Sequence, residues 1–375
     1  MSIEFRVKRK GWRRPARRLS LLVALGLLAA ACGDDDGDTA AGGTNDGAAA
    51  GEEASGADAE PSGTLRLGYF PNVTHAPAII GVQEGIFEEA LGDGVDLELQ
   101  TFNAGGEAIE ALFSGAIDAT FIGPNPAING FAESSGEALR IVAGTTSGGA
   151  SLVVRDGIDA PEDLAGAALA SPALGNTQDV ALRAWLLGQG YETDEAGGGD
   201  VAITPQDNPD TLTAFQQGSI DGAWLPEPWA TRLINEGGGH VLVDESDLWP
   251  DGQFVTTHLI VATGYLEEHP ENVRALISGL LDAIDVANGD AGEAQSITND
   301  GIEADTTNRL ADGTIAGAWE NLTFTPDPVA SSLEESKNDA VEVGLLDDVD
   351  LDGIYDLTIL NELLAERGDE EVAGL

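Results

Sequence analysis

Phe113-Ser114-Gly115-Ala116-Ile117-Asp118-Ala119-Thr120-Phe121-Ile122-Gly123-Pro124-Asn125-Pro126 reads as one unit of an α/β chain. A helix patterned on Ala108, Ile109, Leu112 and Phe113 closes at a glycine, and an aspartate opens a short apolar strand. A Gly-Pro-Asn-Pro loop then leads into the next helix. The unit recurs 103 residues later. Phe215 stands upstream of Gly218-Ser219-Ile220-Asp221-Gly222, which leads to Pro226-Glu227-Pro228. Gly-x-Ile-Asp alone is short enough to arise by chance. With the shared Phe and the matching Pro-x-Pro, the echo predicts two related lobes.

The same alternation extends on both sides. Leu65-Arg66-Leu67-Gly68-Tyr69 alternates as a strand, 77–91 carries a helical pattern, and 95–102 alternates again. Strands that alternate with helices imply parallel pairing through right-handed crossovers. The fold class predicted is α/β, each lobe a mostly parallel sheet flanked by helices.

The chain has 375 residues, which suits two lobes of ordinary domain size. Seventeen Lys+Arg face 66 Asp+Glu, a formal net charge of -49, so a nucleic-acid binder is excluded: nothing here neutralises a run of phosphates. At 42% hydrophobic residues the acidity does not signal global disorder. A single cysteine, Cys32, excludes a disulfide framework, a cysteine-built zinc site and an iron–sulfur cluster. Four scattered histidines, His75, His240, His258 and His269, form no pair at metal spacing. There is no phosphate loop and no Gly-x-Ser-x-Gly elbow, so no catalytic residue, metal or cofactor is expected.

Eight of the basic residues lie between Arg6 and Arg18, followed by the 13-residue apolar stretch 19–31 and then Cys32. A basic head, a short apolar middle and small residues describe an export signal, and 13 residues fall short of the ~20 of a spanning helix. Ala29-Ala30-Ala31-Cys32 resembles a bacterial lipobox, with Leu28 one place further upstream than usual, so Cys32 is the expected lipidation site. Residues 32–62 hold almost only Gly, Ala, Asp, Glu, Ser and Thr and read as an acidic disordered tether. Without residues 1–31 the chain keeps 9 basic and 65 acidic residues, a net charge of -56, and Lys337 as its one lysine. Such a surface fits a salty or alkaline exterior better than a basic partner.

In open parallel sheets, ligands sit beyond the carboxyl ends of strands. The loops there supply Asn72, Thr74 and His75, then Gly105, Asn125, Thr146, Asn176 and Thr177, and finally Glu227 and Trp229. Helix starts among them favour an anion. Taken singly, each Ser, Thr or Asn is equally readable as a cap on its own helix, and Asn176-Thr177-Gln178-Asp179 has the look of one. His75 offers a donor or caps the helix after it. Trp229 and Phe70 wall an organic tail or pack in the core, and His258 lines the cleft or is a buried structural histidine. No arginine falls in these loops; Arg66, Arg155 and Arg183 are expected to pair with acids. Glu227 opposes an anion unless it turns away, makes a lobe contact or meets an amino or neutral group.

These motifs together resemble a family: the substrate-binding proteins of bacterial ABC importers for nitrate, taurine and aliphatic sulfonates. Phe102-Asn103-Ala104-Gly105-Gly106 through Gly115-Ala116-Ile117-Asp118 and Gly123-Pro124-Asn125-Pro126 resembles its first-lobe segment. Ser151-Leu152-Val153-Val154 with Ala160-Pro161-Glu162-Asp163-Leu164-Ala165-Gly166 resembles its crossing strand and second-lobe marker. Ala223-Trp224-Leu225-Pro226-Glu227-Pro228-Trp229 is similar to its W-x-P-W segment. Glu268-His269-Pro270-Glu271 and Phe324-Thr325-Pro326-Asp327-Pro328 resemble its later markers, so the likeness covers about 64–365.

The resemblance implies a two-lobed clamshell of the periplasmic-binding-protein type 2. Lobe 1 would take 63–154 and 254–375, and lobe 2 would take 155–253. It further implies a small-molecule solute, ABC permease and ATPase subunits as partners, a monomer, and a place outside the cytoplasmic membrane on a lipid anchor. The alternatives are a binder of a thiamine-precursor pyrimidine or another neutral or zwitterionic solute, and a ligand-sensing module. The fold's enzyme relatives, thiamine-pyrimidine synthases, need an active-site Lys and a Cys-rich stretch that this chain lacks.

Overall fold

The computed structural model describes residues 60–375. The leader, Cys32 and all but the end of the tether lie outside the described residues.

The chain opens with β1 (Gly63–Tyr69), α1 (Ala76–Gln83), α2 (Ile86–Leu91), β2 (Val95–Thr101), α3 (Gly105–Phe113), β3 (Ala119–Ile122), α4 (Pro124–Glu133) and β4 (Leu139–Gly148). It passes through β5 (Ala150–Val154), β6 (Ala168–Ser171), α5 (Thr177–Gly188), β7 (Ala202–Pro205), α6 (Asn208–Gln216), β8 (Gly222–Pro226), α7 (Trp229–Asn235) and β9 (His240–Asp244). It returns through β10 (Val255–Ala262), α8 (Thr263–Glu268), α9 (Pro270–Ala287), α10 (Ala291–Thr306), α11 (Asp312–Glu320), β11 (Leu322–Phe324), α12 (Ala330–Glu342) and α13 (Thr358–Arg367). The helix expected over 77–91 is broken in two by Gly85, which takes a left-handed φ of 68°.

Two sheets form. One has the order β11-β4-β10-β3-β1-β2 and the other β7-β6-β8-β5-β9. Omitting β11, the two orders are the same, so the lobes share one topology. Each sheet is mixed, with four strands running one way: β1, β2, β3 and β4 in the first and β6, β7, β8 and β9 in the second. In the first, β2, β1 and β3 are parallel while β10 runs against β3 and β4. In the second, β7, β6 and β8 are parallel while β5 runs against β8 and β9. The reversal has a simple cause: β5 and β10 are the strands that cross from one sheet to the other, and each enters from the far side.

The repeated Gly-x-Ile-Asp has a local physical meaning. Gly115 and Gly218 end their helices with φ of 68° and 72°, and the next amides, Ala116 and Ser219, donate back to Ala111 and Ala214. Ile117 and Ile220 are buried. The Asp118 carboxylate accepts the Arg66 amide at 2.8 Å, and Asp221 accepts the Ala168 amide at 2.7 Å. Each aspartate thus ties one strand of its sheet to the next. The arginines near them pair as expected: Arg66 with Asp118 at 2.6 Å, Arg155 with Asp221 at 3.3 Å and buried Arg183 with Asp179 at 3.0 Å.

Each sheet has a core on both faces because strand residues alternate sides. Phe121 packs with Leu67 and Leu276, while its neighbour Ile122 packs with Ile109 and Ile128. Leu152 packs with Trp224 and Leu186, while Val153 packs with Phe215 and Leu225.

Candidate functional site

The carboxyl ends of β1, β2, β3, β6, β7 and β8 point into one cleft, and the helices that follow them begin there. The result is a small cavity of about 40 Å³, lined by Asn72, Thr74, His75, Gly105, Asn176 and Thr177 together with Phe70, Asn103, Gly123, Gln178, Asn208 and Thr256. One water needs roughly 10–15 Å³, so the space suits two or three waters or one small anionic group.

Five helix starts surround it. His75, Gly123 and Asn176 precede the first residues of α1, α4 and α5, while Gly105 and Asn208 are the first residues of α3 and α6. None of these five has a side-chain cap. Asn176 and His75 stand at cap positions without capping. Pro77, Pro124, Pro126 and Pro209 bring no N–H to these first turns, and the Ala76 amide donates to the Val73 carbonyl. α3, α5 and α6 each carry a first-turn carboxylate (Glu107, Asp179, Asp210). The amides that remain, with the aligned peptide dipoles, make the spot attractive to negative charge. No Lys, Arg, Asp or Glu lines the cavity. His75 is buried, and burial pushes its pKa down to about 3, so its ring is neutral. The ring lies tilted against Phe70 with centroids 4.7 Å apart, and its Nδ1 has no hydrogen-bond partner.

The lobes touch across the cleft. Trp229 Nε1 donates to Asn72 Oδ1 at 2.8 Å, the Thr74 amide donates to the Glu227 carbonyl at 3.4 Å, and Asn129 Nδ2 donates to the Gly175 carbonyl at 3.3 Å. A Cβ on Gly123 would stand 2.7 Å from Thr177 Oγ1, so this close approach of the starts of α4 and α5 uses the missing side chain of that glycine.

Trp229 sits on the far side of its bond to Asn72, in a second chamber of about 310 Å³. The two spaces share Asn72, Asn103 and Asn208. The outer walls are apolar, with Phe102, Leu212, Trp229, Ile302 and Leu310. The Arg232 guanidinium lies 4.5 Å from the Trp229 ring centroid and is held by Glu236 at 2.7 and 3.2 Å.

Other candidates lie elsewhere. Asn125, one residue inside α4, turns toward α12 and donates to the Ser336 carbonyl at 3.1 Å. Thr146 is buried in β4 opposite Thr257 and Phe324. Glu227 turns its carboxylate away from the cavity, accepting from the Thr231 amide at 3.1 Å, Thr231 Oγ1 at 2.8 Å and Asn321 Nδ2 at 2.7 Å. Burial raises its pKa. His258 bonds the Pro328 carbonyl at 3.0 Å and meets Tyr355 edge-on. Asn208, Gln178 and Thr256 line the cavity without having been singled out. A helix start directly after a strand end was the available signal for Asn208.

The profile of the NMT1-like family matches residues 58–299, well over half of the chain. The chain belongs to the NMT1-like family. The chain is similar to the taurine-binding periplasmic protein of Escherichia coli (strain K12), 29% identical over 207 residues and covering 55% of this chain and 62% of that protein. The match thus spans less than two thirds of that relative. The alkanesulfonate-binding protein SsuA from Xanthomonas axonopodis pv. citri, bound to MOPS, superposes with a TM-score of 0.64 at 18% identity, covering 78% and 96% of the two chains. The periplasmic nitrate-binding protein NrtA from Synechocystis PCC 6803 superposes with a TM-score of 0.66 at 16% identity, covering 82% and 90%. These likenesses show a periplasmic-binding-protein fold for this family member.

Proposed function

We propose that the protein is an extracytoplasmic solute-binding protein that closes two lobes on a small anionic solute and hands it to an ABC importer. The observation that carries this reading is the set of five uncapped helix starts around a cavity lined by no charged side chain. An anion there is held by backbone amides and by the polar side chains of Asn72, Thr74, Asn176 and Thr177, not by a counter-charge. Relatives named for taurine, sulfonate and nitrate binding support the same class. Capture rather than catalysis fits the lining, whose one titratable side chain, His75, is held neutral.

A ligand that binds only the folded protein raises its stability by about 2.7 kcal/mol at a hundredfold excess over Kd. A melting screen over sulfonates, taurine, sulfate, nitrate, bicarbonate and pyrimidine precursors reads this directly. A shift with anions is expected; a shift with the pyrimidines alone would favour the neutral-ligand reading, and none at all would refute both. The lipid anchor is proposed at Cys32, with the protein on the outer face of the membrane. Cys32→Ala is expected to release it from the membrane fraction, and retention there would refute the anchor.

A further inference from the structure

We infer that the groove between α5 and α12 is a second binding site, for an organic ammonium cation with an apolar body. It shares no residue with the inner cavity or the outer chamber, and it does not depend on anion capture. One wall is α5 and the 245–253 segment that leads from β9 to β10; the other is α12. Its volume of about 660 Å³ is within the range of small-molecule sites.

Charge decides the sign of the occupant. Glu245, Asp251, Glu335 and Asp339 line the groove, and no Lys, Arg or His does. Exposed acids are ordinarily just solvated, but Glu245 is 2% exposed and still faces the groove. Only its Oε2 receives a hydrogen bond of ordinary length, 2.7 Å from the neutral indole of Trp224. No cation pairs with it among the described residues, although buried carboxylates are ordinarily paired. Burial, with Asp339 and Asp244 nearby, raises its pKa to about 7. Burial, with Glu335 and Glu342 nearby, raises that of Asp339 to about 6. A cation in the groove supplies the partner both lack.

The walls decide the body. Trp185 and Trp249 line the groove, and indole faces both attract cations and bury carbon. Trp185 packs against Trp224 with centroids 6.0 Å apart, and Trp249 stacks on Phe254 at 5.8 Å, so both rings are fixed before a ligand arrives. A bare metal ion fits less well. No three carboxylates stand close enough to share one, among the described residues.

The test is calorimetric titration of the purified full-length protein with phenethylammonium, its neutral analogue 2-phenylethanol, methylammonium and calcium chloride. At pH 8 phenethylammonium is expected to bind at least about tenfold tighter than 2-phenylethanol and at least about tenfold tighter than methylammonium. Its affinity is expected to fall at pH 5, where Glu245 and Asp339 take up protons. Glu245→Gln keeps an acceptor for Trp224, and Ser331→Arg puts a positive charge at an exposed place on the rim. Each is expected to weaken phenethylammonium by roughly tenfold while the free variant still unfolds cooperatively. Equal affinity for the amine and the alcohol would overturn the cation, and equal affinity for the two amines would overturn the apolar body. Binding untouched by both variants would put the amine elsewhere on the acidic surface and overturn this site. Displacement of the amine by calcium would overturn the organic class.

Discussion

Glu245 is buried at 2% exposure with no cation beside it, and Trp224 Nε1 donates to it at 2.7 Å. Burial is the main cause that raises its pKa to about 7. The folded state therefore binds this proton more tightly than the unfolded chain does. The stability it contributes is full below the ordinary glutamate value and is lost as pH rises through about 7. Glu245→Gln keeps an acceptor for Trp224 and removes the ionisation. It is expected to stabilise the protein by up to about 3 kcal/mol at pH 8 and to give no gain at pH 4, read by urea melts at both values. Equal effects at the two pH values would refute the assignment. His75 and His258 act in the opposite sense. Burial lowers their pKa values to about 3 and about 4, so their contribution is full above the ordinary histidine value and fades as pH falls toward those numbers. Glu227 is a clasp between lobes: Glu227→Ala strands the Thr231 amide and Asn321 Nδ2 and is expected to cost about 2–4 kcal/mol in denaturant unfolding, with Glu227→Gln much milder.

At the scale of elements, the site depends on how closely helix starts approach. A Cβ on Gly105 would stand 2.3 Å from Pro126 Cγ, so alanine there forces the beginnings of α3 and α4 apart. Gly105→Ala is expected to cost roughly 1–3 kcal/mol in stability and to weaken anion binding. At Gly106 an added Cβ meets nothing within 4 Å, so Gly106→Ala is expected to leave both unchanged. Identical calorimetric behaviour of the two variants would refute the packing argument. The elements themselves were legible because the repeated Gly-x-Ile-Asp marks the same helix end and strand tie in both sheets. Strand direction was less so: the resemblance marked Leu152-Val153-Val154 as a crossing strand, but its apolar run does not say that β5 runs against its neighbours. Chain position located Asn72, Thr74, His75, Gly105, Asn176 and Thr177 at strand ends, which is where the cavity forms. The turn of a side chain about its own Cα is not written in the sequence. Asn125 faces α12 and Glu227 faces Asn321, although both stand between two prolines in matching Pro-x-Pro segments. Asn208 was hidden because β7 reads Ala-Ile-Thr-Pro, a weak strand signal, so the helix start after it did not stand out.

For the whole molecule, the acids and the site are separated. The chain carries a formal net charge of -49, yet the inner cavity is lined by none of it. Affinity for an anion is then set by amides within a few ångströms, while approach from a distance is set by the surface. At 0.01 M salt the field reaches about 30 Å from that surface, and at 0.15 M about 8 Å. Stopped-flow association of a sulfonate is expected to accelerate as salt is raised over this range, with dissociation nearly constant; slowing of dissociation by salt instead would place the acids at the site after all. Most electrostatically assisted binders slow down in salt. On the proposed function, capture would be slow in fresh water and quick in brine, and dilution would lower its rate without changing what is recognised.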